Sequence, residues 1–205
     1  MTLLSESDQR QVADAIARVE RDTDAELVTV LAARADDYTY ISLLWAGLAA
    51  LLIPGLVNYR PLWFDAHQLL LVQWLTFVGL GLLFRVPAIT SRLVPRSVRH
   101  WRAANLARRQ FLALDLHRTE GGTGMLIFVA EAERYVEILV DHGIAARLGD
   151  ETWAAIVEAF TEAVRRGETL QGFLACIEAC GQHLRTHLPA TQARNELPDR
   201  LVVLP

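Results

Sequence analysis

The chain has 205 residues, 52% of them apolar, which is enough for one domain with additional material and too apolar for intrinsic disorder. Two cysteines cannot build a disulfide framework. All 20 basic side chains are arginines, which excludes chemistry that needs a lysine: a Walker A phosphate loop, a Schiff base, a Ser-Lys dyad.

The net charge of -4 is an average over unlike segments. Residues 1–37 carry 4 basic and 9 acidic groups, and residues 38–84 carry only Arg60 and Asp65. Seven arginines and no acid follow in residues 85–109, then 8 basic and 14 acidic groups in residues 110–205.

Ser5-Glu-Ser-Asp8 has the form of a helix start, and Val12, Ile16 and Val19 recur at helical spacing, predicting an amphipathic helix that ends near Asp22. Met1 to Asp24 is acidic and amphipathic, so no signal peptide is expected there. Glu26 to Ala33 reads as a strand. Tyr38 to Tyr59 is a run of 22 uncharged residues, and Ala66 to Phe84 is a second run of 19. At about 1.5 Å per residue each spans a hydrocarbon layer of roughly 30 Å. The eight residues Asn58 to Asp65 between them suit a tight connection of antiparallel helices, and Tyr38, Tyr40, Tyr59 and Trp63 fit an interfacial belt. Two such helices in a chain this short leave too little material to cover them, so a transmembrane hairpin is expected.

Ser97 to His117 has a helical pattern with its basic residues toward the hairpin. Gly121 to Gly124 breaks it, Met125 to Ala130 reads as a buried strand, and Tyr135 to Val140 as its antiparallel partner across a polar turn, Glu131 to Arg134. Asp150 is expected to cap a helix that stops at Gly167, and Thr169 to Leu188 supplies another. Neither flank of the hairpin has enough elements to cover its own apolar faces, so together they form one layered α/β domain. The expected organisation is residues 1–37 and 85–189 as two parts of that domain, 38–84 as the inserted hairpin, and 190–205 as a C-terminal tail. Arginines after the second helix mark the inside, so both termini are expected in the cytoplasm.

The segments HRTEGGTGMLIFVAEAERYVEILVDHGI (His117 to Ile144), GDETW (Gly149 to Trp153) and RNELPDRL (Arg194 to Leu201) resemble the TPM domain family, and Leu4 to Val30 is similar to that domain's first helix and strand. The resemblance implies an α/β/α sandwich, here split by an inserted two-helix transmembrane hairpin. Members of the family include maintenance factors of photosystems and auxiliary subunits of membrane complexes. Phosphatase activity and divalent-metal binding are ascribed to some, and bacterial members are commonly encoded beside a LemA-type membrane protein. It therefore implies a LemA-type protein as a partner. Metal-binding members carry an Asp before the strand glycine and a Gly-Tyr-Gly after the hairpin, leading to a further Asp. This chain differs, with Glu120-Gly-Gly-Thr-Gly124 and Asp141-His-Gly143, and Asp150 matches the last acid.

Asp141, His142 and Asp150 flank a loop leaving the sheet, where two carboxylates and an imidazole suit a divalent cation such as calcium or magnesium. The alternative is a helix cap beside solvated loop residues. Cys176, Cys180, His183 and His187 form one helical stripe, but four ligands spread over roughly 16 Å cannot meet one tetrahedral ion, so buried thiols and a helix-end His explain them. Cys180 and Arg185 lack the glycine-rich, anion-binding loop of a thiol phosphatase. Arg85, Arg92, Arg96, Arg99 and Arg102 are assigned to the membrane surface, where anionic headgroups are a nearer partner than nucleic acid, at about 1 kcal/mol per surface arginine. The resulting expectation is a multi-pass protein of a bacterial inner membrane, a non-catalytic interaction or maintenance factor for a membrane complex. A metal-dependent phosphatase at the cytoplasmic face is the alternative.

Overall fold

The computed structural model describes residues 4–59, 65–86, 89, 93–191 and 196–205. The chain divides into two units, one built from residues 1–35 and 100–205, the other from residues 36–99.

The first unit opens with α1 (Glu6–Glu20), closed at its start by a capping box in which Asp8 N–H donates to the Ser5 hydroxyl and Ser5 N–H to the Asp8 carboxylate. Its apolar stripe of Val12, Ala15, Ile16 and Val19 is buried. β1 (Glu26–Ala32) follows and is buried along its whole length. β2 (Gly124–Ala130) lies parallel to it, with Leu27 opposite Met125 and Leu31 opposite Val129. β3 (Tyr135–Val140) returns antiparallel to β2, with Met125 opposite Val140. The last strand, β4 (Leu201–Leu204), runs parallel to β1 on its other side, giving the sheet order β3-β2-β1-β4.

Period-two alternation divides the strand side chains between two cores. Leu27, Leu31, Met125, Ile127 and Val129 face α1, α6 (Asp150–Arg165) and α7 (Thr169–His187). Val28, Val30, Leu126 and Phe128 face α4 (Arg96–Ala113) through Ala103 and Ala107. Helices therefore cover both faces, as an α/β/α sandwich requires. A parallel β1–β2 pair needs a crossover, and α4 supplies it. The apolar hairpin is an extension of that same connection.

In the second unit, α2 (Thr39–Tyr59) packs on α3 (Ala66–Leu83). Ser42, Ala46 and Ala50 form the buried line of α2, small side chains that allow close approach between helices. Leu51, Leu52, Leu56, Leu71 and Leu75 are all more than 60% exposed. Both helices are long and apolar enough to cross a membrane. Asp65 starts α3 with a second capping box, answered by Gln68.

Four expectations change. Of the segment 190–205 expected as a tail, the described residues from Glu196 onward are bonded to the domain and end as β4. The unit boundary at 99/100 falls inside α4, so residues 85–99 group with the hairpin. The helix expected to reach His117 stops at Ala113, where Asp115 takes a left-handed φ of 57° and a 3-10 turn, Leu116–Arg118, follows. Gly149 occupies the cap of α6, and Asp150 is its first helical residue, favourably placed against the helix dipole.

Candidate functional site

A cleft of about 340 Å³ opens in the first unit at the end of the sheet where β1 and β2 begin, lined by Thr23, Asp24, Glu26, Glu120, Arg147 and Glu196 among others. Its acidic groups arrive from three parts of the sequence. Asp24 and Glu26 enter β1, Glu120 precedes β2, and Glu196 comes from the C-terminal segment.

These carboxylates bind the chain itself. Asp24 accepts the Thr191 N–H at 2.8 Å and the Thr191 hydroxyl at 2.6 Å. Glu26 accepts the N–H groups of Glu196 and Leu197, one on each oxygen, at 2.9 and 3.1 Å. Glu196 in turn accepts the Glu120 N–H at 3.1 Å. Burial pushes the Glu26 pKa above its ordinary value, while the two backbone N–H groups pull it down. The arrangement is a set of clamps that fastens the C-terminal segment across the mouth of the sheet.

Asp141 and His142 stand beside this cleft, where β3 hands over to the single-turn helix α5 (His142–Ala145). Asp141 Oδ1 accepts the His142 N–H at 2.7 Å and lies 3.0 Å from its Nδ1, while Oδ2 is buried with no hydrogen-bond partner. The imidazole is 81% exposed. The backbone runs unusually close here. A Cβ on Gly143 would collide with the Gly121 carbonyl, and Gly122, at φ +66°, lies under the His142 ring.

The expected ligand set of Asp141, His142 and Asp150 is only partly brought together. Asp141 and His142 are adjacent, whereas Asp150 is exposed on the first turn of α6. Among the described residues no three His, Cys, Asp or Glu side chains are grouped to hold a metal ion. A divalent cation such as calcium needs six or more oxygens. Asp141 and His142 alone bring one carboxylate and one imidazole together, and Asp141 Oδ1 already accepts the His142 N–H, so the described donors fall short of such a set.

Cys176 and Cys180 are buried in the core. The hydrogen bond between them and burial both raise the Cys176 pKa, so that thiol is not poised as a thiolate. His183 packs edge-on against Trp153 at 6.2 Å. Of the arginines assigned to the membrane surface, Arg85 and Arg96 are exposed, Arg99 and Arg102 are half-buried, and Arg92 lies outside the described residues. Asp24, Glu26 and Arg147 were not singled out from sequence. The only local signal was the acidic run at Asp22, Asp24 and Glu26, since their partners are distant in the chain.

Residues 91–183 match the TPM domain family. No curated protein matches the chain. The fold is similar to that of the BA42 protein from the psychrophilic bacterium Bizionia argentinensis, determined by NMR, at a TM-score of 0.61 and 18% identity, covering 98% of this chain and 94% of that one. The family match takes in α4, β2, β3, α5, α6 and most of α7, and the sandwich adds α1, β1 and β4 from outside it. This chain carries a TPM domain in an α/β/α sandwich, with two helices long and apolar enough to cross a membrane inserted between its first two strands.

Proposed function

We propose that this chain is a multi-pass protein of a bacterial inner membrane whose cytoplasmic TPM domain works as a non-catalytic interaction module, assembling or maintaining a membrane protein complex. A LemA-type membrane protein is the proposed partner. The observation that carries the reading is the occupation of the acidic cleft: its carboxylates hold Thr191, Glu196, Leu197 and Glu120, an architecture that stiffens the domain instead of presenting acids to a substrate. The exposed leucines of α2 and α3 support the anchor.

Phosphatase assays on the detergent-solubilised chain, with and without calcium or magnesium, test the non-catalytic part. The expected result is turnover no higher with metal than without it, in the wild type and in Asp150→Ala alike. Metal-stimulated hydrolysis abolished by Asp150→Ala would overturn the reading in favour of a metal-dependent phosphatase.

A further inference from the structure

Outside residues 36–99, only three large apolar side chains are exposed among the described residues: Trp101, Leu112 and Val203. Two of them belong to α4 and are each 58% exposed. They are separated by 11 residues, which at 100° per residue returns them to within about 20° of the same direction, roughly 16 Å apart along the helix. The opposite side of α4 is the one that packs on the sheet through Ala103 and Ala107. Trp101 and Leu112 thus mark a single outward stripe.

The charges around that stripe have one sign. α4 contains five arginines and no acid. The Arg102 guanidinium lies 5.1 Å from the centre of the Trp101 ring, covering its face, and Arg109 is exposed one turn before Leu112. Arg108 is exposed as well, but its charge is shared with Glu137 on β3, whose ionised form it stabilises. Aromatic and aliphatic side chains interleaved with arginine match the depth profile of a bilayer surface, where an indole sits at the headgroup level and arginines meet lipid phosphate. Sequence distance favours the same occupant. Twelve residues separate the end of α3 from the start of α4, a tether of at most about 40 Å even if fully extended.

We infer that the outward face of α4, with Trp101, Arg102, Arg109 and Leu112, binds the anionic headgroup layer of the membrane. This rests on the proposed membrane anchoring by α2 and α3. It adds Trp101, Arg109 and Leu112 to the arginines already assigned to the membrane surface, of which Arg102 is one. The face therefore recognises a negatively charged lipid surface by charge and inserts shallowly by its Trp and Leu.

The test uses the full chain in lipid nanodiscs, with an environment-sensitive fluorophore on Leu112→Cys and, as control, on Glu158→Cys of α6, which packs on the other face of the sheet. The native Cys176 and Cys180 are 2% and 0% exposed, so the introduced thiols react selectively. With phosphatidylglycerol in the disc, the label at 112 is expected to shift to the blue and brighten at least twofold over the label at 158. The gain should fall by half or more in pure phosphatidylcholine, in 1 M salt, and in the Arg102→Gln/Arg109→Gln double variant. Equal, water-like emission at both positions in a chain that has entered the disc overturns the inference and leaves the anchor standing. A gain that is the same with both lipids, or that persists in lipid-free detergent and grows with protein concentration, also overturns it, the latter by assigning the face to a second copy of the chain. Failure of the chain to enter the disc at all refutes the anchoring and the inference together.

Discussion

Glu20, the last residue of α1, is the clearest case in this chain of one side chain setting a property of the whole. It is 7% exposed, its Oε1 accepts the Leu27 N–H at 2.7 Å, and Asp199 and Glu26 are its charged neighbours. Burial, followed by the hydrogen bond with Asp199, raises its pKa from 4.5 to about 9. Between those values the native chain holds a proton that the unfolded chain releases. The stabilisation is therefore complete below about pH 4.5 and is lost as the pH rises through about 9. The Tm of the detergent-solubilised protein should fall across that window. Glu20→Gln keeps a carbonyl for Leu27 and an amide donor for Asp199 without a titrating proton, so it should flatten the slope and exceed the wild type at pH 9 by roughly 3 °C or more. Glu26, raised in the same direction, leaves a residual slope in the variant. Parallel Tm profiles for the two proteins would refute the assignment.

β4 shows how an element can depend on contacts far from it in sequence. A strand of four residues with one buried side chain is too short to hold its place by pairing alone. The Glu26 carboxylate fixes the chain four residues upstream by accepting the N–H groups of Glu196 and Leu197. Glu26→Ala leaves those donors without their acceptor, at a cost of about 1–3 kcal/mol. Hydrogen exchange should quicken first in residues 196–204 and leave the β2–β3 pair protected. Uniform loss of protection across the sheet would instead make Glu26 part of the global core. The same contacts explain what was legible in sequence. α1 with its capping box, β2 and β3 with their turn, and the two long apolar helices are written in local periodicity. β4 was not, because LVVL earns its place only from β1, more than 170 residues away. Asp141 and His142 could be paired from sequence since they are neighbours, whereas the Asp24, Glu26 and Glu196 clamps exist only after the chain has closed on itself. The cap of α6 was misplaced by one residue because Asp and Gly both suit that boundary.

At the scale of the molecule, the sheet constrains how the hairpin can sit in a membrane. β1 ends at Ala32 and β2 begins at Gly124, and the two pair in register along their whole length. The chain before α2 and the chain after α3 must therefore lie on one side of any bilayer, which permits zero crossings or two and excludes one. The strand pairing requires this independently of charge, and the arginine distribution is the basis for the proposed side. In the proposed topology, the seven arginines without an acid in residues 85–109 keep that side in the cytoplasm. An alkaline phosphatase reporter inserted in the connection at residues 60–64 should be active, and one fused after Pro205 inactive, with a fluorescent protein at the same C-terminus bright. Replacing Arg85, Arg92, Arg96 and Arg99 by Gln should weaken that bias and give a mixed population. Because the sheet still requires both flanks on one side, the inverted molecules should carry the whole TPM domain across with them. A variant with one terminus on each side would break the β1–β2 pairing, and finding it folded would refute the proposed topology.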